Sequence, residues 1–536
     1  MASIDKRIAW VGFVLLVCFL LLFAQLNNIQ VKSAKAIVGN PLLKTLPQTG
    51  ASPFFEPRGE IISANGVVLA YSKHTNQPIK YQRVYPSATA TMFSEITGYY
   101  ANAVGADPYG VEASYNTYLE QHESPANSLG SLLDQHTETD NVYLTISTTL
   151  QAAAQTALNS SKVNIGGAVV VIDPRNGDIL AMASSPTYDP NRLSRANGSK
   201  INALATQYIS RPADDDPLIN QAISNFQFPG STFKVITTSA VFDRKPVHYS
   251  GNIAQQLFQP ASSWAFPVSN CVESATNPCS IQNYGGEYCP SYPSGLSQIL
   301  PQSCDSAYGE IGYELGIANM DAEARAFGFD SVPPIDMPDA IASVVSSEAQ
   351  VGDSPGDMAY TAIGQLDDKA TPLEMALVAS AVADNGTIMA PHVVSKAVNS
   401  YGETEFTYQP HKWLQATSAS TAAQVRQLMT GVTQDANGTA TGEFLSWYQD
   451  GYPVIAAKTG TAEPTENTCA TENWLIALGP AAAGQVPTVA VAAMVPVPAS
   501  ECYLVDNGPT GASVAGPVLV PVLEEALNLQ KAGSIP

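Results

Sequence analysis

Ser231 and Lys234, within Pro229-Gly230-Ser231-Thr232-Phe233-Lys234, are spaced for nucleophilic chemistry. A serine hydroxyl attacks a carbonyl well only when a base takes its proton. A lysine stripped of water, with its pKa lowered, can be that base. The segment opens a largely apolar run, Val235 to Phe242, and Pro-Gly before Ser reads as a helix start. Three positions along a helix is about one turn on the same face, so the amine is in reach of the hydroxyl. The free N–H groups of a first turn would also support an oxyanion. The spacing alone is common: Ser3 and Lys6 share it, and an ordinary helix cap is the plain alternative for Ser231. Lys458-Thr459-Gly460-Thr461 follows the apolar Val454-Ile455-Ala456-Ala457, which predicts a strand. Gly460 would let another backbone approach closely, and an extended peptide could lie along the strand edge. Lys458 supplies positive charge for a carboxylate and Thr461 a donor. Strict alternation puts these two on opposite faces, so the pattern does not show how both reach one cleft. Between the two segments, Gln302-Ser303-Cys304-Asp305-Ser306-Ala307-Tyr308 opens a helical pattern through Tyr308, Ile311 and Leu315. A helix cap is the plain alternative for Ser303 and Asp305.

The elements that must position these residues are legible in outline. Strands are predicted at 142–146, 167–172, 179–183, 453–462, 474–478 and 488–495, with a helix at 149–158 and a short one from Gly110. Asp173 to Asp178 is a turn by composition, and Asn65-Gly66 between apolar runs signals a hairpin. Strands at both ends of a long helical stretch predict one antiparallel sheet covered by helices, an α+β or three-layer domain. The 536 residues suffice for several domains, and the 45% apolar fraction excludes wholesale disorder. With 25 basic and 47 acidic residues the formal charge is −22, which disfavours general nucleic-acid binding. No repeat of solenoid length is evident.

Ile8 to Leu26 is nineteen residues without a charge, preceded by Lys6 and Arg7. At 1.5 Å per residue that is roughly one bilayer core, about 28 Å. The expectation is a cytoplasmic tail at 1–7, a transmembrane anchor at 8–26 and an extracytoplasmic remainder. The alternative is a cleaved signal peptide, for which Ala34-Lys35-Ala36 offers a site, though far past the apolar run. Six cysteines lie beyond the anchor: Cys271, Cys279, Cys289, Cys304, Cys469 and Cys502. An exported chain would use them in up to three disulfides, the alternative being buried free thiols. Cys469 and Cys502 flank two predicted strands, nearly symmetric about the turn-rich Gly479 to Pro487, and are expected to pair. No Cys-x-x-Cys occurs and the six histidines are scattered, so no metal is expected.

Ser-x-x-Lys, then Ser-x-Asn/Asp, then Lys-Thr-Gly, in that order, resembles the motif set of penicillin-recognising serine acyltransferases. The chain is similar to class B penicillin-binding proteins of the actinobacterial kind over nearly its whole length. The likeness extends to Arg58-Gly59-Glu60-Ile61-Ile62 with Gly66 and Leu69-Ala70, to Gly110-Val111-Glu112 with Tyr115, and to the hairpin from Ala168 to Ala181. Ser185-Pro186-Thr187-Tyr188-Asp189-Pro190-Asn191 and Thr371-Pro372-Leu373-Glu374-Met375-Ala376 complete it. The resemblance implies a pedestal or dimerisation-like module, elongated and mostly β, at 27–140 and a transpeptidase domain at 141–530. It implies that Ser231 attacks the carbonyl between two D-alanines of a peptidoglycan stem peptide and that Lys234 takes its proton. Ser303 would relay a proton to the departing D-alanine, and an amine from a neighbouring stem would complete a cross-link. Lys458 would tune Ser303. Thr459 and Thr461 would hold the donor carboxylate, and the N–H groups of Ser231 and Thr461 would form the oxyanion hole. β-Lactams would acylate Ser231. No cofactor is implied. Lipid-linked precursor and a membrane peptidoglycan polymerase are the implied partners.

The sequence departs from that pattern at the middle motif, which usually ends in Asn. An ionised Asp305 only accepts hydrogen bonds. Paired with Lys234 or Lys458 it would raise the lysine's pKa and make a poorer base. Ser250-Gly251-Asn252 is a second Ser-x-Asn, with flanks that do not match. Gln221 stands where Arg is common, and Leu366 where Gly is common. About 115 residues between anchor and first catalytic strand leave no room for a glycosyltransferase. A D,D-carboxypeptidase is the close rival; a β-lactamase fits poorly. Asp305 also motivates a non-catalytic β-lactam sensor or scaffold.

Overall fold

The computed structural model describes residues 56–535 except 77–79, 101–108, 121, 124–136, 162–165, 195–197, 270–277, 464–468 and 506–507. Before them it describes only Trp10, Leu16 and Phe19, which are helical and exposed. The remainder of the expected anchor, the tail at 1–7 and the second Ser-x-x-Lys at Ser3 lie outside the described residues. The chain divides into two units, residues 1–57 with 73–82 and residues 58–72 with 83–536. In the first, the His74 ring meets Tyr81 edge-on. The site belongs to the second.

Its centre is an antiparallel sheet of five strands: β1 Gly167–Ile172, β2 Ile179–Ser185, β3 Ala456–Ala462, β4 Thr471–Gly479 and β5 Val489–Val497. The order is β3-β4-β5-β1-β2. All six residues of β1, Gly-Ala-Val-Val-Val-Ile, are buried, which requires cover on both faces. Alternation sorts them: Val169 and Val171 join one apolar cluster, Ala168, Val170 and Ile172 the other. The first cluster packs under α1 (Thr148–Asn159), through Leu150, Ala154 and Leu158, and under the helix Gly516–Lys531. The second lies under α2 (Lys234–Asp243), α3 (Asp305–Leu315) and α4 (Pro372–Ala383), through Val235, Ile236, Ile311 and Leu377. The expected three-layer arrangement is present. One described helix is long and apolar enough to cross a membrane, Gly511–Lys531. Its Val518, Leu519, Val522 and Leu523 are buried against the sheet.

A second sheet contains the strands Ile61–Ile62, Val68–His74, Asn141–Leu144, Val394–Val398 and Thr404–Thr407. The Asn65-Gly66 turn joins the first two antiparallel. Asn141–Leu144 lies parallel to Ile61–Ile62 and antiparallel to Val394–Val398, so strands from distant parts of the chain share this sheet. Beside it, the fully buried Glu112 accepts from Arg58 at 2.8 Å and Arg83 at 2.6 Å. Burial works against its ionised form, but the two guanidinium groups outweigh burial and lower its pKa.

Candidate active site

Ser231 lies on a 3-10 turn, Gly230–Phe233, that runs into α2. Gly230 makes the turn possible. Its φ is 51°, and a Cβ there would sit 2.8 Å from the Thr461 carbonyl oxygen. Its N–H donates to Gly364 O at 2.9 Å. Gly460 is required for the same contact from the other side, since a Cβ would meet Pro229 O at 2.7 Å. The expected close approach of two backbones at Gly460 is thus the docking of the Ser231 turn onto β3.

The three motifs converge on one hydroxyl. Lys234 Nζ lies 3.2 Å from Ser303 Oγ, 2.9 Å from Ser303 O and 2.6 Å from Asp305 Oδ1. Lys458 Nζ donates to Ser303 Oγ at 2.8 Å and to its neighbour's carbonyl, Thr459 O, at 3.0 Å. Ser303 Oγ therefore sits between two lysine amines. Both lysines are fully buried. Burial lowers the Lys234 pKa, although Asp305 pulls it upward by charge and hydrogen bond. Burial, and then the charge of Lys234, drive Lys458 well below the usual lysine value against the pull of Asp305. As expected, the Asp305 pairing acts to make Lys234 a poorer base. The carboxylate does raise the pKa, but desolvation is larger.

Ser303 adopts φ 59°, a left-handed conformation unfavourable for a residue with a side chain. Its surroundings hold it there. Cys304 is disulfide-bonded to Cys289, giving the middle motif the partner that sequence left unassigned. Cys304 N donates to Ile299 O at 3.0 Å, and Ser306 N donates to Asn283 Oδ1 at 2.8 Å. Cys469–Cys502 is the second bridge, as expected. Cys279 is also disulfide-bonded; Cys271 lies outside the described residues.

The strict alternation on β3 holds. Lys458 and Gly460 face the Ser231 turn, while Thr459 and Thr461 face away. The Thr459 hydroxyl pairs with Thr439 Oγ1 at 2.7 Å and Thr461 Oγ1 accepts from Gly511 N at 2.9 Å. What alternation could not reveal is that β3 is an outer strand, bonded to β4 on one side only. A ligand along its other side touches backbone and both faces at once. Thr439 was missed by sequence reasoning; it lies in Asn437-Gly438-Thr439 and no spacing marked it. Ser250-Gly251-Asn252 plays no part: Asn252 caps the turn Ile253–Gln255. The buried Gln221, in place of Arg, donates to Ala213 O at 2.7 Å. Leu366 has φ 67°, which accounts for Gly being common there. Among the described residues no group of three His, Cys, Asp or Glu is arranged to hold a metal.

Residues 167–524 match the penicillin-binding protein transpeptidase domain, and residues 58–142 match the penicillin-binding protein A dimerisation domain. The chain is 33% identical to peptidoglycan D,D-transpeptidase PbpA of Mycobacterium tuberculosis, over 88% of this chain and 89% of that one. With PbpA of Mycolicibacterium smegmatis it shares 32%, over 90% and 92%. The crystal structure of PBPA from M. tuberculosis superposes with a TM-score of 0.72 at 29% identity, covering 88% of this chain and 99% of that one. Its penicillin G acyl-enzyme complex gives 0.71 at 29%, covering 88% and 100%. Three motifs meeting at one part-buried hydroxyl, on a fold shared along most of both chains, place this protein in the penicillin-binding protein transpeptidase family.

Proposed function

We propose that this protein is a serine-type peptidoglycan D,D-transpeptidase acting through a Ser231 acyl-enzyme. The observation that carries the reading is the part-buried Ser303 Oγ held by both Lys234 and Lys458, two fully buried lysines, one of them a turn after Ser231. Lys234, its pKa lowered by burial, takes the proton as Ser231 Oγ bonds to the carbonyl between two D-alanines. Asp305 meets the ammonium as it forms. The backbone N–H groups of Ser231 and Thr461 carry the oxyanion. When the tetrahedral centre collapses, the C–N bond breaks and the terminal D-alanine leaves with a proton passed through Ser303. Lys458 supplies the positive field beside that hydroxyl. An amine from a second stem peptide attacks the ester, forms the new amide and frees Ser231. A β-lactam follows the first half only.

The donor stem is read as an added strand along the free side of β3, its carboxylate near Thr459, Gly460 and Thr461. Residues 8–26, apolar and preceded by Lys6 and Arg7, are read as a single membrane anchor with 1–7 cytoplasmic and the catalytic domain outside. The division into a pedestal at 27–140 and a transpeptidase domain at 141–530 is part of the same reading, as is a membrane peptidoglycan polymerase as partner.

The test is a mass spectrum of the full chain after incubation with benzylpenicillin, beside Ser231→Ala. An adduct on Ser231 that the variant lacks supports the reading, and turnover of D-alanyl-D-alanine peptides with an acceptor amine separates transpeptidation from hydrolysis. A folded wild type that takes no adduct refutes it and leaves a scaffold.

A further inference from the structure

Behind the Ser231 turn lies a set of contacts that the acylation steps leave unused. The Phe228 peptide, three residues before Ser231, is gripped at both ends by side chains of β4. Its N–H donates to Glu472 Oε2, and its carbonyl accepts from Trp474 Nε1 at 2.8 Å. Two positions apart, Glu472 and Trp474 share one strand face. They lie opposite Ala462 and Gly460 on β3, the face on which Pro229 and Gly230 rest. Gln227 exchanges backbone bonds with Ala370 at 3.0 and 2.8 Å, and Gly230 N is fixed by Gly364. The nucleophile is thus delivered by a short run of backbone fastened along its length.

Among these fasteners only Glu472 titrates. It is 7% exposed. Lys369 faces it from the 364–371 loop and also covers the Phe228 ring, with Asp367 beside that lysine. Asp214 faces it from the turn Ala213–Asp215. We propose that Glu472 is a positioning residue for acylation: ionised, it holds the Phe228 N–H and so aims Ser231 and its backbone N–H at the substrate carbonyl. This rests on Ser231 being the nucleophile. Burial pushes the Glu472 pKa up to about 7, against the lowering by Lys369 and the Phe228 N–H and with Asp214 adding to the rise. An ionised carboxylate accepts an N–H more strongly than a neutral acceptor does, so the grip slackens as pH falls through that range.

The experiment measures the second-order rate constant of benzylpenicillin acylation of the full chain against pH, for wild type and Glu472→Gln. Glutamine keeps an acceptor but cannot ionise. Titration of Lys234 and Lys458 is common to both proteins and divides out of the ratio. The wild-type to variant ratio is expected to rise from near unity on the acid side to on the order of tenfold on the alkaline side, with its midpoint near the Glu472 value of about 7. A ratio that does not change with pH overturns the proposal. Lys369→Met, at a half-buried loop position, is a second arm should Glu472→Gln not fold. Removing that charge moves the acid limb of acylation to higher pH, and an unmoved limb overturns the proposal. Wild type that acylates with a flat ratio refutes only the role of Glu472, whereas no adduct at any pH refutes the Ser231 reading as well.

Discussion

Asp305→Asn is the substitution that most directly tests how this site makes a base. Asp305 Oδ1 lies 2.6 Å from Lys234 Nζ, with the lysine side chain fully buried and the aspartate side chain 16% exposed. An opposite charge at such range raises a lysine pKa by about one to three units, and each unit is about 1.4 kcal/mol. The amide keeps an acceptor for Nζ but removes the charge, so nothing is left to offset burial. The Lys234 pKa should fall by about one to three units. A base works only when unprotonated, so the acid limb of benzylpenicillin acylation should move to lower pH by that amount. Well below the wild-type limb the variant should acylate about tenfold faster or more. On the alkaline plateau it should be slower, because the base is weaker and the ammonium formed in the transition state has lost its partner. Stability carries the same sign. A lysine whose folded pKa is depressed costs stability as pH falls and the amine must charge inside the protein. The melting-temperature gap between wild type and variant should therefore widen towards acid pH. The assay is the acylation rate constant of the full chain from acid to alkaline pH, with thermal unfolding at the same points. An acid limb that stays put, or moves up, would refute the view that Asp305 and burial act against each other on Lys234.

Two further outcomes are expected. Gly460→Ala should leave acylation by benzylpenicillin lowered by about 100-fold or more, since its Cβ would lie 2.7 Å from Pro229 O, 2.9 Å from Thr232 Cγ2 and 3.1 Å from Trp474 Cβ. The accompanying loss of stability should be about 1 to 3 kcal/mol, and an alanine variant that acylates at the wild-type rate would show that the turn does not need this approach. Glu374 is fully buried on α4 with neither carboxylate oxygen bonded among the described residues, and burial pushes its pKa up to about 8. A folded pKa raised above the ordinary carboxylate value means stability is intact below that ordinary value and is lost as pH rises through the folded one. Glu374→Met should therefore raise the melting temperature, by about 3 kcal/mol of stability near neutral pH, with the gain shrinking towards acid; a gain independent of pH would refute the burial account.

The reach of sequence reasoning followed the range of the interaction concerned. Where a property depends on neighbours a few residues apart, pattern was sufficient. The β1–β2 hairpin, the helix after Ser231 and the strand carrying Lys458 all follow from apolar runs, turn chemistry and helical spacing. So does the Cys469–Cys502 bridge, which needs only two strands and the turn between them. The strand alternation at Lys458 and Thr461 was also correct, and it looked like a contradiction only because strand order is not local. β3 is the outermost strand of a sheet whose central pairing, β5 with β1, joins residues more than 300 positions apart. The influences on Lys234 divide along the same line. The charge of Asp305 on a lysine is a pairwise matter that composition suggests, but burial of that lysine is a sum over α2, α3, β3 and the strands beneath. Cys289 and Asn283 hold Ser303 in its left-handed conformation from a segment with little periodicity.

The same distinction explains why the proposed catalytic groups are strained or desolvated while their supports are ordinary. Ser303 at φ 59° and two desolvated lysines are each unfavourable in isolation. They persist because independent elements fix them from different directions. The Cys289–Cys304 bridge and Asn283 act from one side, and the β3–β4 pair acts from the other. Asp305 supplies the one carboxylate within hydrogen-bonding range of Lys234 among the described residues. A site built this way has its base lowered by the protein interior before substrate arrives and has a counter-charge waiting for the proton. Acylation then requires little rearrangement of protein groups, which is the condition under which buried dipoles and charges lower a barrier rather than merely bind.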